Sequence, residues 1–239
     1  MSNLTISPVQ PVRTKPFPKW PFFDKEACVA VEAVLRSGQV NYWTGEEGRL
    51  FEKEFSASIG VNYAVALMNG SVALEAALMA FNIGDGDEVI VTPRSYIASA
   101  SCAIMRGAKP VFADVDRDSQ NITVASIEKV ITNRTRAIIA VHLAGWPCEM
   151  DKIMSLAKRH KIVVIEDCAQ ASGAFYKGRP VGSFGDAAAF SFCQDKIMTT
   201  GGEGGMLVTN DKNIWSKVWS YKDHGKNYDT VHSNNLTPG

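Results

Sequence analysis

Apolar and polar positions follow two different rhythms along this chain. From residue 24 to residue 58 the spacing is helical. Ala27, Val31, Val34 and Leu35 recur at three- and four-residue intervals behind Asp24, a residue type suited to an N-cap, and Gly38 supplies a stop. After the loop QVNYWTG a second helix is predicted over 46–58, with Leu50, Phe51 and Phe55 facing inward. Beyond it, short apolar runs predict strands over 63–68, 88–92, 110–114, 137–142, 162–166, 188–192 and 206–209. Helical patterns over 72–82, 96–106, 124–131 and 149–160 separate most of them, and another lies near 212–221. Val- and Ile-rich strands alternating with helices make β-α-β units, so the expected fold class is α/β with a mostly parallel sheet of seven strands. Two stretches break the rhythm. The segment 168–186 is glycine-rich and carries no helical pattern, which suits a functional or tightly turned loop. The last strand follows its predecessor after a glycine loop alone, which leaves room for an antiparallel strand.

Composition narrows the class. The 239 residues are 46% hydrophobic and 21% charged, as in ordinary soluble domains, and can bury a sizeable core. Formal net charge is zero with Lys and Arg scattered, so no footprint for nucleic acid or an anionic membrane is visible. No apolar run approaches a membrane span. Residues 1–23 are Pro-rich and lack an apolar signal core, which predicts an extended arm ahead of a domain over 24–239. Five cysteines form no CxxC pair, and their odd number argues for free thiols and a reducing cytoplasm.

Candidate chemistry gathers at strand ends, where open α/β sheets bind ligands. Asn69-Gly70-Ser71 joins a strand to a helix. Gly70 allows the tight turn, the helix start offers free N–H groups to a phosphate, and Ser71 adds a hydroxyl; a plain turn with an N-cap has the same sequence. Tyr96 follows the next strand and could stack on a flat heteroaromatic ring, or pack in a crevice. Asp167 ends the apolar run IVVI-E, where a carboxylate can keep a ring nitrogen protonated, or cap a loop; Gln170 can donate to a ring oxygen. Ser191 closes a strand and can bind phosphate. Lys196 lies five residues on, in reach of a carbonyl compound with which it would form a Schiff base, and Gly201, Gly202, Gly204 and Gly205 would let backbone approach a ligand. Phosphate cradle, stacking aromatic, acid for a pyridinium and lysine for an aldehyde together describe pyridoxal 5'-phosphate. A nicotinamide-dependent dehydrogenase needs G-x-G-x-x-G where this chain has Asn69-Gly70-Ser71-Val72-Ala73, and is excluded.

Longer runs carry a resemblance. NYWTG at 41–45, NGSVALEAAL at 69–78, GDGDEVIVTP at 84–93, TRAIIAVHLAG at 135–145, VIEDCAQASGAFYKGRPVGSFGDAAAFSF at 164–192 and KIMTTGGEGGMLVTND at 196–211 make the chain similar to the DegT–DnrJ family of sugar aminotransferases. The resemblance implies the large domain of a type I pyridoxal-phosphate enzyme, a three-layer sandwich, with the C-terminal small domain missing. It implies that Lys196 bonds the cofactor and then moves a proton, that Asp167 pairs with the pyridine nitrogen and Gln170 with the ring hydroxyl, that Gly70, Ser71 and Ser191 hold the phosphate, and that Tyr96 stacks on the ring. It further implies a homodimer with shared active sites, a nucleotide-linked ketosugar as acceptor and glutamate as amino donor, in cytoplasmic amino-sugar biosynthesis. His142 matches a family histidine without an assigned role. Cys193-Gln194-Asp195 departs from the family's usual run before the lysine, which leaves the substrate open. Alternatives are a sugar dehydratase, disfavoured because Lys196 is present, and a truncated non-catalytic or regulatory relative.

Overall fold

A computed structural model describes residues 13–232; the rest of the expected arm, residues 1–12, lies outside the described residues. Helix α1 (Lys25–Ser37) starts where Asp24 accepts the Ala27 N–H at 2.8 Å and ends at Gly38. Its apolar face is not covered: none of its residues is buried. In α2 (Glu47–Ile59) the buried face is set by Phe55 and Ile59, with Phe51 against Phe55 and Phe192. Leu50, expected inside, is exposed, because it lies about 100° around the helix from Phe51.

The remaining elements are β1 (Tyr63–Leu67), α3 (Gly70–Ala80), β2 (Glu88–Val91), α4 (Ala98–Met105), β3 (Lys109–Phe112), α5 (Val124–Glu128), β4 (Thr135–Val141), α6 (Met150–His160), β5 (Val163–Asp167), β6 (Phe175–Tyr176), β7 (Arg179–Pro180), β8 (Ala187–Ser191), β9 (Gly205–Thr209), α7 (Lys212–Lys222) and α8 (Tyr228–His232). Seven strands form one sheet in the order β1-β9-β8-β5-β4-β2-β3. β2, β3, β4, β5 and β8 pair in parallel, whereas β9 is antiparallel to both β8 and β1. The mostly parallel seven-stranded sheet and its one reversed strand are therefore as expected. The helix-free segment 168–186 holds the hairpin β6–β7.

Period-two burial sorts the strand residues into two faces. Val65, Val89, Val91, Ile139, Ile165 and Leu207 pack with α3, α4 and α7. On the other face Ile90, Ile138 and Val164 meet α5 and α6, while Ala188, Phe190, Met206 and Val208 meet α2. The result is a three-layer sandwich of helices, sheet and helices. Seven of the eleven α3 residues are buried, four of them alanine, which lets this helix sit close to the sheet. No helix among the described residues is long and apolar enough to cross a membrane.

Candidate active site

The C-terminal edge of the parallel strands carries a cavity of about 410 Å³, within the range of small-molecule sites. Gly70, Ser71, Tyr96, Asp167, Gln170, Ser191 and Lys196 all line it. Residues scattered over 127 positions of sequence thus converge because each follows, or ends, a strand of one sheet.

The β1–α3 turn is held by its own chemistry. Asn69 Oδ1 accepts the Val72 N–H at 2.9 Å, and Asn69 O accepts that of Ala73 at 3.1 Å. Gly70 and Ser71 lie in the first turn, where backbone N–H groups have no intrahelical acceptor, so these donors and the positive end of the helix dipole can face an incoming anion. The turn lies directly on the β8–β9 hairpin. A Cβ on Gly205 would fall 2.3 Å from the Asn69 carbonyl, and one on Gly70 would fall 2.9 Å from Ser191 Cβ. This corrects the expected role of the glycine run: Gly205 admits a neighbouring turn rather than a ligand, and none of the four glycines lines the cavity.

Asp167 is the last residue of β5 and is buried. Its Oδ2 accepts the Ser99 hydroxyl at 2.7 Å and its Oδ1 the Ala169 N–H at 3.1 Å. Ser99 Oγ also lies 2.6 Å from Ser95 Oγ. Each hydroxyl has one hydrogen, so Ser95 donates to Ser99 and Ser99 to Asp167. Burial pushes the Asp167 carboxyl above its ordinary range, against these hydrogen bonds and the Lys196 charge. The same burial, with the Asp167 charge, pushes the Cys102 thiol up to about 12. Sequence reasoning missed Ser95 and Ser99. The helix expected over 96–106 begins only at Ala98, because Thr92 Oγ1 accepts the Arg94 N–H and turns the chain first; Tyr96 therefore stands in that turn, its ring exposed at the mouth.

Gln170 Oε1 accepts the Ala144 N–H at 2.7 Å, which leaves the Gln170 amide hydrogens to donate. Lys196 Nζ lies 2.8 Å from Asp195 Oδ2, with the lysine side chain mostly covered and Asp195 open to solvent. That contact, with the Cys193 thiol, holds the Asp195 carboxyl below its ordinary range. Asp195 belongs to the run that departs from the family pattern, and its role was not anticipated.

His142 does not reach the cavity. Its Nδ1 accepts the Cys148 N–H at 3.1 Å, so Nε2 carries the hydrogen and donates to Glu166 Oε2 at 3.0 Å. Both groups are fully buried. Glu166 also accepts from the N–H groups of Gly182, Phe184 and Gly185. Burial opposes its charge, but the hydrogen bonds from His142 and this loop hold the carboxyl below its ordinary range. His142, Glu166 and Cys168 offer ligand atoms within 4.8 Å of one another. Both imidazole nitrogens are already engaged, which makes the trio structural. The backbone N–H of His142 bonds Asp167 O at 3.1 Å, tying this buried pair to the strand end that presents Asp167.

Comparison with known proteins agrees with this layout. The sequence profile of the DegT/DnrJ/EryC1/StrS aminotransferase family matches residues 21–237. The chain belongs to this family. Among curated members, GDP-perosamine synthase of Escherichia coli is 47% identical over 186 residues, covering 77% of this chain and 51% of that protein. A spore coat polysaccharide biosynthesis protein of Bacillus subtilis is 42% identical over 205 residues, covering 86% and 52%. The solved aminotransferase of Psychrobacter cryohalolentis superposes with a TM-score of 0.92 at 58% identity, over 94% of this chain and 57% of that one. The chain thus spans about half the length of the curated relatives it matches. Aminotransferases of this family depend on pyridoxal phosphate. The donor set fits that group: neutral N–H and hydroxyl donors at a helix start for the phosphate, a buried carboxylate whose raised pKa a ring cation would relieve, and a lysine on the same cavity.

Proposed function

We propose that this chain forms the cofactor-binding part of an enzyme that moves an amino group from an amino acid, glutamate, to a keto group on a nucleotide-linked sugar. The observation that carries the reading is the convergence of Lys196 and the buried Asp167 on one cavity floored by the Gly70–Ser71 helix start. Relatives named as a GDP-perosamine synthase and as a UDP-N-acetyl-3-dehydro-glucosamine aminotransferase support a nucleotide-sugar acceptor. Free cysteines support a cytoplasmic location.

Pyridoxal phosphate, when bound, supplies an electron sink that weakens the Cα–H bond of an amino acid. Gly70, Ser71 and Ser191 would hold its phosphate through N–H and O–H donors. Asp167 would keep a proton on the ring nitrogen, and the Ser95 and Ser99 hydroxyls orient its carboxylate for that task. Gln170, with its amide hydrogens free, would donate to the ring oxygen, and Tyr96 would offer an aromatic face to the ring. Lys196, on the same cavity, would hold the cofactor's carbonyl carbon and serve as the base for the Cα proton, and Asp195 Oδ2, 2.8 Å from Nζ, would position that amine. A second copy of the chain would supply further groups to the site.

The test is incubation of the full-length protein with pyridoxal phosphate, glutamate and a panel of nucleotide-linked ketosugars. Formation of 2-oxoglutarate with an aminated sugar is expected, and borohydride should fix the cofactor to Lys196. Attachment to another residue would refute the site. A deoxygenated sugar without 2-oxoglutarate would replace amination by dehydration.

A further inference from the structure

One side chain among the described residues hydrogen-bonds Asp167, and that side chain has a partner of its own. Ser99 Oγ donates to Asp167 Oδ2 at 2.7 Å, and Ser95 Oγ donates to Ser99 Oγ at 2.6 Å. Both are ordinary O–H···O lengths. Main-chain donors take the other acceptor atoms of Asp167: the Ala169 N–H bonds Oδ1 and the His142 N–H bonds the backbone oxygen. A backbone N–H is a donor only, whereas a hydroxyl accepts and donates at once. Among the described residues the two serines are therefore the one hydrogen-bonded route that can carry a proton to or from this carboxylate.

The surroundings change along that route. Asp167 and Ser99 are 5% and 1% exposed, whereas Ser95 is only half-buried. All three line the cofactor cavity. Ser95 alone of the three also lines a second cavity, of about 400 Å³, together with the exposed Arg94, Ala144 and Trp146. A ring seated on Asp167 covers the carboxylate from the first cavity, and Ser95 keeps a side on the second.

We propose that Ser95 and Ser99 form a proton relay that connects Asp167, and the ring nitrogen it faces, with solvent in the second cavity while the cofactor is bound. Inward, a hydronium ion gives a proton to Ser95 Oγ, Ser95 passes its own hydrogen to Ser99 Oγ, and Ser99 passes its own to Asp167 Oδ2. Three O–H bonds form and three break, water is left behind, and the carboxylate gains one proton; the reverse sequence returns it. Ser95 acts through Ser99 and is a positioning residue rather than a catalytic one. The inference rests on the cofactor reading of the cavity and adds to it a path for the ring proton.

Proton magnetic resonance of the full-length, cofactor-loaded protein tests it. The signal is the ring N–H resonance, identified by its loss in Asp167→Asn, and its exchange with water is timed by saturation transfer. Ser95→Ala breaks the relay but leaves the Ser99 bond to Asp167, so exchange should slow about tenfold or more while the resonance keeps its position. Ser95→Thr, which keeps a hydroxyl, should restore the rate. Ser99→Ala takes a donor from the carboxylate itself and should both slow exchange and move the resonance. Exchange as fast in Ser95→Ala as in wild type would overturn the relay. So would a resonance displaced as far in Ser95→Ala as in Ser99→Ala, the result expected if Ser95 only orients the carboxylate. A wild type that fixes the cofactor to Lys196 with borohydride, yet shows no N–H resonance dependent on Asp167, would overturn it too. Failure of wild type to fix the cofactor at Lys196 would instead overturn the functional reading beneath it.

Discussion

At the level of single residues, two neighbouring carboxylates on β5 have opposite electrostatics. Burial raises the Asp167 pKa, so ionised Asp167 opposes folding of the chain without cofactor at neutral pH. Asp167→Asn should therefore melt higher than wild type in the absence of pyridoxal phosphate, and lose most of the stabilisation that wild type gains when the cofactor is added. Thermal melts with and without cofactor decide this; a variant melting below wild type without cofactor would contradict it. Glu166 is the reverse case. Its pKa is lowered, so its contribution is present above the unfolded carboxylate value near 4.3 and is lost as pH falls through the lower folded value. Removing His142 leaves that carboxylate short of its side-chain donor in a fully buried place. His142→Phe should cost about 1–3 kcal/mol or more, read from urea unfolding at pH 7, the penalty for leaving a buried carboxylate short of a hydrogen-bond donor. His142→Gln, which can still donate to Glu166, should recover part of that loss.

At the level of elements, the site depends on how closely the β1–α3 turn sits on the β8–β9 hairpin. Gly205→Ala places a methyl within 2.3 Å of the Asn69 carbonyl carbon and oxygen, main-chain atoms that cannot rotate away. The turn must lift, and with it the Gly70 and Ser71 donors. This substitution should weaken pyridoxal phosphate binding at least tenfold, measured by equilibrium dialysis, and should lower the melting temperature as well. Retention of wild-type affinity would show that the turn does not need its seat. Much of this arrangement was legible in advance. The strand positions, the reversed β9 and the cavity-lining residues Gly70, Ser71, Asp167, Gln170, Ser191 and Lys196 follow from apolar rhythm, glycine placement and the rule that ligands lie at strand ends. The failures have different physical reasons. Leu50 and the start of α4 turn on local geometry, the angle around α2 and the Thr92–Arg94 turn, whereas the service of Gly205 depends on what packs against it across the fold, and one-dimensional spacing does not contain that. The Ser95–Ser99–Asp167 chain was hidden for the same reason, since Ser99 and Asp167 are 68 residues apart.

For the whole molecule, the cavity lies at the C-terminal edge of the parallel strands, and exposed apolar side chains adjoin several of its lining residues along the chain. Met68, Ile97 and Ile197 are 70%, 68% and 60% exposed, and each is the chain neighbour of a cavity residue, Asn69, Tyr96 or Lys196. Exposed apolar side chains recurring around one mouth mark an interaction surface. The only side-chain cation lining the cavity is Lys196, although the proposed phosphate site takes a dianion. A second copy over this rim would cover the apolar side chains and bring further groups to the site, in keeping with a shared-site homodimer. Sedimentation equilibrium of the chain should then show a dimer at micromolar concentration. Ile97→Asp should raise its dissociation constant at least tenfold, because a carboxylate desolvated in an apolar interface is costly. The residue is exposed and outside the core, so circular dichroism should be unaltered. Equal association of wild type and Ile97→Asp would place the interface elsewhere. A drop in helix signal together with loss of the dimer would mean that Ile97 supports the turn at Tyr96 rather than contact between copies.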